Sequence, residues 1–449
     1  MTILKTKKPA FHITGEKGWI NDPNGLIFFK GKYHAFFQHY PNDVQWGPMH
    51  WGHVVSEDLT HWEYLPNALA PCDEFDSFGC FSGSAIEHDG KLWLLYTGVV
   101  ENQGGDTLRQ LQCLAESEDG VNFKKHGIVI GEDKLPKEYE PWNFRDPKVW
   151  RFNDEFWCVV AAKKRNGNGS VLLFKSHNLF DWQFVSDMFE KEFKGAMIEC
   201  PDLNQELGCL LLSEQFQPKE EGQLNVHTSR WHLGELDYST GLFNETAKGT
   251  MDYGFDLYAP QTFAGEPIAI GWLNMWDRNI PSAKYGFAGM LTVPRKLSVK
   301  NGRLYQTPIV KTTGSTEKQI EGKLIDQVVK GVITLKMKGL KDFNLRLREN
   351  GENYTELYLK DDKWVFNRSR SGEEIRGVET DSDSLAGIRR MPCSNGDEIV
   401  LTIVMDEFSV EIFEDGNVLS STIYPPEDAT TLTLSVTANS CYYLREEVY

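Results

Sequence analysis

Three acidic motifs are the candidates for chemistry in this chain of 449 residues: WINDPNG around Asp22, FRDPKVW around Asp146 and IECPD around Glu199. Carboxylates that meet in a desolvated place repel one another, so their convergence needs a metal ion or acid/base chemistry as its reason. A metal would need several convergent ligands. His50 and His53 stand at an odd spacing on a predicted strand and point to opposite faces, so we expect no metal site and no cofactor.

Glycoside hydrolysis requires one ionised carboxylate as nucleophile and one protonated carboxyl as general acid, about 5–5.5 Å apart in a retaining enzyme. Asp22 lies in a polar turn whose amide donors should favour its charged form. Glu199 follows an apolar approach that starts at Gly195, and desolvation there should raise its pKa. Asp146 follows the cation Arg145, which should hold it ionised and suits it to stabilising a positive transition state.

The elements that would bring these residues together are predicted to be strands. Short alternating runs separated by Gly, Asn and Asp dominate the chain, which is typical of hairpins and predicts an all-β fold. A segment beginning SEDLTHW at Ser56 recurs as SEDGVNF at Ser117 and SHNLFDW at Ser176, with starts 61 (117 − 56) and 59 (176 − 117) residues apart. A looser copy covers residues 234–243. This period indicates propeller blades, and residues from about 10 to 305 accommodate five of them.

The three acidic motifs stand at or just before the first strand of the first, third and fourth blades. Because first strands line the axis of a propeller, we expect these carboxylates to meet in one funnel. After residue 305 the repeat stops, while alternating runs continue, which indicates a β-sandwich. The predicted domains are therefore a catalytic propeller over residues 1–305 and a C-terminal sandwich over residues 306–449, with their junction near Pro308.

Composition excludes several classes of partner. The net charge is −18 and no basic run occurs, so we expect neither nucleic acid nor an anionic membrane to bind. No apolar stretch is long enough to span a bilayer, and the first residues contain no apolar segment typical of a secretion signal. We therefore expect a cytoplasmic protein whose eight cysteines are reduced thiols.

The sequence resembles glycoside hydrolase family 32, the invertases and fructan hydrolases. The three acidic motifs are similar to the three signature segments of that family, and WINDPNG is highly specific. Further similar segments follow along the chain: FQHYP around Gln38, WGPMHWGH from Trp46, FSGS from Phe81, YAPQ from Tyr258, LTVPR up to Arg295, NRSRSG from Asn367 and FSVEIF from Phe408.

The resemblance implies a five-bladed propeller followed by a β-sandwich, and a retaining double displacement that releases terminal β-D-fructofuranosyl residues. By position, Asp22 resembles the nucleophile, Glu199 the acid/base, and Asp146, with Arg145, the transition-state stabiliser. Trp272 or Trp276 should add an aromatic wall. Five further residues match positions lining the fructose subsite: Asn21, Gln38, Trp46, Phe81 and Ser82.

Three functional hypotheses follow. The first is hydrolysis of sucrose, sucrose 6-phosphate or short fructo-oligosaccharides, with a small sugar as the partner. The second is fructosyl transfer at the same site, in which a sugar hydroxyl replaces water. The third is a non-catalytic carbohydrate-binding propeller, which should lack one of the three carboxylates. We expect the sandwich to stabilise the propeller or to support homo-oligomerisation.

Overall fold

The structure is a computed structural model and describes residues 7–101, 108–191, 197–216, 224–377 and 387–448. Within these ranges the regular structure is almost entirely β-strand, and the helical part consists of two short 3-10 helices, Glu132–Lys134 and Pro281–Tyr285. The prediction of an all-β fold is confirmed. In the described part of the chain, no helix has the length and apolar character needed to cross a bilayer.

Five sheets follow one another up to residue 308. The first four are meanders of four antiparallel strands: β1 (Gly18–Phe29), β2 (Lys32–Tyr40), β3 (His50–Ser56) and β4 (Glu63–Leu69); β5 (Gly79–His88), β6 (Lys91–Glu101), β7 (Leu108–Ser117) and β8 (Lys124–Ile130); β9 (Tyr139–Phe152), β10 (Glu155–Lys164), β11 (Gly169–Ser176) and β12 (Gln183–Lys191); β13 (Ile198–Asn204), β14 (Cys209–Glu214), β15 (Thr228–Asp237) and β16 (Leu242–Thr250). The fifth sheet contains β17 (Tyr258–Thr262) and β18 (Ile268–Trp272). After these, β19 (Phe287–Ala288) returns to pair in parallel with β1, and β20 (Arg295–Lys300) and β21 (Arg303–Pro308) complete the fifth sheet.

The first strands of these sheets contact one another in cyclic order. β1 lies against β5, β5 against β9, β9 against β13, β13 against β17, and β17 again against β1. Of these strands, β1, β13 and β17 are buried along most of their length, as expected for strands covered on both sides. The five-bladed propeller stays a prediction, and this closed order of contacts supports it.

The sequence repeat forms the turn between the third and fourth strands of the first three sheets. Two positions after the repeated serine stands Asp58, Asp119 or Asn178. The side-chain oxygen of each accepts a hydrogen bond from the backbone N–H of the residue two positions later. The next residue in each turn has a positive φ: Leu59 (64°), Gly120 (77°) and Leu179 (66°). The looser copy forms the turn between β15 and β16, where Asp237 accepts the N–H of Ser239. The sequence repeats because the same residue types are needed to form this turn in each sheet.

A buried ion pair joins β9 to β13. Lys148 Nζ on β9 lies 2.6 Å from Asp202 Oδ2 on β13, and it also donates to the backbone oxygen of Thr262 on β17. Asp202 in turn accepts the backbone N–H and the hydroxyl of Thr262. Three first strands are thereby fixed relative to one another, with Lys148 two positions after Asp146 and Asp202 three positions after Glu199.

The remaining strands form two six-stranded antiparallel sheets. In chain order they are β22 (Gly314–Gln319), β23 (Lys323–Gln327), β24 (Gly331–Lys338), β25 (Asp342–Glu349), β26 (Tyr354–Lys360), β27 (Lys363–Arg370), β28 (Ile388–Pro392), β29 (Glu398–Asp406), β30 (Ser409–Glu414), β31 (Asn417–Thr422), β32 (Thr431–Thr437) and β33 (Ser440–Glu447). One sheet has the order β22-β33-β24-β29-β30-β31 and the other β23-β32-β25-β26-β27-β28. Their facing side chains share one hydrophobic core, as in a β-sandwich.

Candidate active site

A β-bulge at the same place in three neighbouring first strands presents side chains to the centre of the ring. The pairing of β9, β13 and β17 with the next strand is interrupted after Arg145, Glu199 and Tyr258 respectively. In each case the bulge holds a residue of positive φ followed by proline, which lacks the N–H that a regular ladder needs. The residues of positive φ are Asp146 (65°), Cys200 (50°) and Ala259 (49°). Left-handed backbone in non-glycine residues is strained and concentrates at functional sites.

The bulges open into a cavity of about 450 Å³. All three predicted carboxylates line it, and their location on first strands is confirmed: Asp22 on β1, Asp146 on β9 and Glu199 on β13. Seven of the eight predicted binding residues line the same cavity: Asn21, Gln38, Trp46, Phe81, Ser82, Arg145 and Trp276. Trp272 is fully buried behind the wall, with its ring centroid 4.8 Å from that of Trp276. The structure thus separates the two tryptophans that sequence left as alternatives.

Asp22 is held by donors on both carboxylate oxygens. Asn21 Nδ2 donates to Oδ1 at 3.1 Å, and Ser82 Oγ donates to Oδ2 at 2.8 Å. The predicted amide donor is present and acts in the expected direction, since its hydrogen bond lowers the pKa of Asp22. Burial, reinforced by the negative charge of Glu199, raises the pKa of Asp22, and the donors offset only part of this effect.

Asp146 also departs from the expectation that its neighbouring cation would keep it ionised. Burial raises the pKa of Asp146 to about 7, because the attraction of Arg145 is outweighed by desolvation and by repulsion from Glu199 and Asp22. Arg145 Nε comes no closer than 4.0 Å to Asp146 Oδ2, so the two side chains are not in close contact. Asp146 Oδ2 instead accepts the backbone N–H of Cys200 at 2.9 Å, which ties β9 to β13.

Glu199 has polar surroundings where the sequence predicted apolar ones. Arg145 NH2 donates to Glu199 Oε1 at 2.8 Å, while Gln215 Nε2 at 2.8 Å and the hydroxyl of Tyr258 both donate to Oε2. Gly195, where the predicted apolar approach begins, lies outside the described residues. The strand neighbours of Glu199 therefore did not reveal its partners, which come from other strands.

Cys200 lies between the two aspartates. Its Sγ is 3.4 Å from Asp22 Oδ2 and 3.6 Å from Asp146 Oδ2. Burial and the three nearby carboxylates raise the pKa of this thiol well above its ordinary value. A thiol must ionise before it can attack, so this shift argues against a nucleophilic role for Cys200.

Aromatic side chains form the entrance and one wall of the cavity. Trp46 is 40% exposed, and its ring centroid lies 5.9 Å from that of Phe81 in an edge-to-face arrangement. Trp276 stacks on Trp19, whose Nε1 donates to Asn21 Oδ1. Flat apolar surface beside acidic groups is suited to a sugar ring, which has both C–H faces and hydroxyl groups.

Several lining residues had no predicted role. They are Gln110, Trp142, Asn143, Gln215, Phe216 and His227, together with Tyr258, which donates to Glu199 behind the wall. A signal for Tyr258 was present in the sequence: Asp146-Pro147, Cys200-Pro201 and Ala259-Pro260 are three equivalent dipeptides, and the residue before each one faces the centre. Trp142 and Asn143 precede Arg145 on β9, and the remaining residues lie on later strands or loops; no such pattern marks any of them.

Comparison with known proteins gives a consistent picture across the chain. The sequence model of the glycosyl hydrolases family 32 N-terminal domain matches residues 12–308, and that of the family 32 C-terminal region matches residues 299–446. The chain is 37% identical to the sucrose-6-phosphate hydrolase of Escherichia coli, with 95% of this chain and 91% of the relative aligned. It is 36% identical to the raffinose invertase of Escherichia coli, with the same coverage.

Solved structures resemble it along the whole chain as well. The GH32 β-fructofuranosidase BmSUC1 of Bombyx mori superposes with a TM-score of 0.83 at 32% identity, covering 99% of this chain and 94% of that one. A variant of that enzyme has been solved in complex with sucrose. The sucrose-6-phosphate hydrolase of Lactobacillus gasseri superposes with a TM-score of 0.89 at 24% identity, covering 98% and 93%, and supports the fold alone.

Proposed function

The chain belongs to glycoside hydrolase family 32, and from this premise we propose that it is a β-fructofuranosidase of the invertase type, hydrolysing sucrose or sucrose 6-phosphate by a retaining double displacement. The observation that carries the proposal is the meeting of Asp22, Asp146 and Glu199, from three different sheets, in one cavity. Glycoside hydrolysis uses two carboxyl groups flanking the scissile bond, and in the retaining mechanism proposed here one of them is the nucleophile.

In the first step, Asp22 attacks the anomeric carbon of the fructosyl unit while Glu199 gives a proton to the departing glycosidic oxygen. This forms a covalent fructosyl–Asp22 ester and releases the rest of the substrate. In the second step, Glu199 takes a proton from water, which attacks the same carbon and frees Asp22. Asp146 and Arg145 bind fructose hydroxyls, and the negative charge of Asp146 stabilises the positive transition state.

The proton needed for the first step has to reach Glu199. Burial, reinforced by the charge of Glu199, raises the pKa of Asp22, and burial raises the pKa of Asp146 to about 7, so both aspartates hold a proton more readily than free carboxyl groups do. A bound sugar supplies hydroxyl donors to both aspartates and competes with Glu199 for Arg145. Hydrogen bonds from the substrate hydroxyls favour the ionised forms of both aspartates, which the nucleophile and the transition-state stabiliser require.

Replacement of Asp22 by Ala tests the proposal. We expect fructose release from sucrose to fall by several orders of magnitude while the protein stays folded, because the covalent step has no other nucleophile. An Asp22→Ala variant that keeps near wild-type turnover would refute the assignment. On β-D-fructofuranosyl fluoride, whose leaving group needs little protonation, Glu199→Ala should recover part of its activity with added azide, which can attack the covalent intermediate without base assistance.

Values of kcat/KM on sucrose, sucrose 6-phosphate and inulin determine the preferred substrate. We expect the two disaccharides to exceed inulin, as the names of the aligned relatives suggest. Product analysis at high sucrose distinguishes hydrolysis from transfer. Equal amounts of glucose and fructose indicate hydrolysis, whereas new oligosaccharides indicate that a sugar hydroxyl intercepts the intermediate.

The domain division is part of the same proposal. Residues 1–305 would form the five-bladed propeller and residues 306–449 the sandwich, in keeping with the change of sheet membership between Pro308 and Gly314. A cytoplasmic location is also proposed, and the free thiols of all eight cysteines support it. Homo-oligomerisation stays a prediction that light scattering on the full chain would check.

A further inference from the structure

Residues 253–256, which belong to the propeller part of the chain, pack into the sandwich close to the candidate active site. The N–H groups of Tyr253 and Phe255 donate to the carbonyls of Val418 and Ser420 on β31, the edge strand of its sheet. Phe255 is fully buried in the hydrophobic core of the sandwich. Gly254 permits this approach, because a Cβ there would lie 2.0 Å from the carbonyl oxygen of Ser420.

Two arginines of the sandwich hold the same segment. Arg368 on β27 donates to Asp256 Oδ2 at 2.7 Å, and its guanidinium carbon lies 3.7 Å from the centroid of the Phe255 ring. Arg389 on β28 donates to Asn225 Oδ1 at 2.7 Å and lies 4.1 Å from the same centroid. Both contacts combine cation–π attraction with a hydrogen bond in a place closed to water.

A third arginine connects these anchored residues within the propeller. Arg278 donates to Asp256 Oδ1 at 3.1 Å, to Asn225 Oδ1 at 2.9 Å and to the backbone oxygen of Phe255. We call Arg278, Arg368 and Arg389 the arginine cluster. Three guanidinium groups so close together are costly: burial and the charge of Arg278 outweigh the attraction of Asp256 and lower the pKa of Arg368 to about 10. Such an arrangement requires a compensating role.

Asn225 and Asp256, which the sandwich arginines hold, and Arg278 of the cluster itself each stand two positions from a residue of the active site. Two of these site residues line the cavity and the third donates to Glu199. The three pairs are Asn225 with His227, Asp256 with Tyr258, and Arg278 with Trp276. Two residues of extended chain span only about 7 Å, so a shift at the cluster is transmitted directly to the wall of the site.

We propose that the C-terminal sandwich positions the acid/base side of the active site, with Arg368 and Arg389 as positioning residues. Arg368 acts through Asp256 and Tyr258 on Glu199, and Arg389 acts through Asn225 and His227, whose ring centroid lies 6.0 Å from that of Tyr258. The inference rests on the proposed function and assigns to the sandwich a part in catalysis beyond stabilising the propeller. It follows from the contacts around Phe255 and Asp256, and requires no contact between the sandwich arginines and substrate.

The test compares Arg368→Met and Arg389→Met with Arg348→Met in the full-length protein. Arg348 is a matched control, since it is 2% exposed, lies in the same sandwich and donates to the backbone oxygens of Ala429 and Glu407. Each variant is assayed for thermal unfolding and for kcat and KM on two substrates. One is sucrose, whose leaving group needs a proton, and the other is β-D-fructofuranosyl fluoride, whose leaving group needs little protonation.

We expect Arg368→Met and Arg389→Met to lower kcat on sucrose about 10- to 100-fold at temperatures where they are folded, as sub-ångström to ångström misplacement of catalytic groups does. The loss on the fluoride should be much smaller, because the affected group is the proton donor. Arg348→Met should lower the melting temperature without changing the ratio of the two rates. The conservative Arg368→Lys and Arg389→Lys variants should recover part of the sucrose activity.

The proposal is overturned if the two cluster variants lower only the melting temperature, with kcat on both substrates as in Arg348→Met. If the Met variants do not fold, the Lys variants decide by the same ratio of rates, and a wild-type ratio in both would refute the proposal. Failure of the proposed function is distinguishable, because it would show as activity retained by Asp22→Ala whatever the cluster variants do.

Discussion

Replacing Asp146 by Asn should remove activity and make the protein more stable at neutral pH. Burial, together with the charges of Glu199 and Asp22, raises the pKa of Asp146 from 3.8 to about 7. A carboxyl whose pKa is higher in the folded state favours folding at low pH, and this contribution is lost as the pH rises from about 4 to about 7. The Asn side chain carries no proton that titrates in this range and can still accept the N–H of Cys200.

The size of the effect follows from the two pKa values. Each pH unit between 3.8 and about 7 changes the free energy of unfolding by about 1.4 kcal/mol, so the span of about 3 units gives at most about 4 kcal/mol. Proton sharing with Asp22 reduces this figure, and about 1–3 kcal/mol at pH 7 is the expected gain. Kinetically, we expect kcat/KM to fall at least about 100-fold, since the transition state loses a negative charge.

Urea unfolding of the wild type and Asp146→Asn at pH 5, 6 and 7 measures the prediction. The difference in unfolding free energy should grow with pH in favour of the variant. Asp406→Asn is a control of opposite sign. Although burial alone would raise the pKa of Asp406, its bonds with His12 and with backbone N–H groups lower it, so that variant should lose stability at neutral pH. Parallel pH dependences for the wild type and Asp146→Asn would refute the reasoning.

Three further substitutions test individual contacts. Tyr258→Phe removes a donor to Glu199 and should lower kcat on sucrose about 10-fold, with a smaller loss on fructosyl fluoride; steady-state rates on both substrates check this. Ser82→Ala removes a donor that lowers the pKa of the nucleophile, so the acid limb of the kcat/KM profile should move to higher pH; an unchanged limb contradicts the assignment. Trp276→Phe should mainly raise KM, whereas Trp272→Phe should cost about 1–3 kcal/mol of stability with little change in KM, as kinetics and urea unfolding would show.

Sequence predicted which carboxylates meet, because their positions follow from the order of strands. The turn that begins at Ser56, Ser117 and Ser176 fixed the phase of the repeat, and each acidic motif then had a definite place on a first strand. That reasoning needs only local patterns and the closed arrangement of sheets. The same reasoning applied to residues 258–261 would have added Tyr258 to the site.

The sequence did not predict the pKa shifts of the aspartates, since these depend on how deeply each group is buried and on neighbours from distant strands. Asp22 has the predicted amide donor, but it is buried beside Glu199. Desolvation raises its pKa by more than the hydrogen-bond donors lower it. Glu199 has apolar neighbours in sequence and polar partners in space: Arg145 from β9, Gln215 after β14 and Tyr258 from β17. These contacts depend on how neighbouring sheets are placed relative to one another.

The three bulges explain why such different side chains can meet in one chemical unit. Arg145, Glu199 and Tyr258 occupy the same backbone position in three consecutive sheets, and the closed order of first strands makes these positions neighbours in space. Their side chains consequently contact one another in sequence order, with Glu199 accepting from Arg145 on one side and from Tyr258 on the other. The β-bulge is the same in all three sheets. The side chain that precedes the bulge in each sheet determines the chemistry at that position.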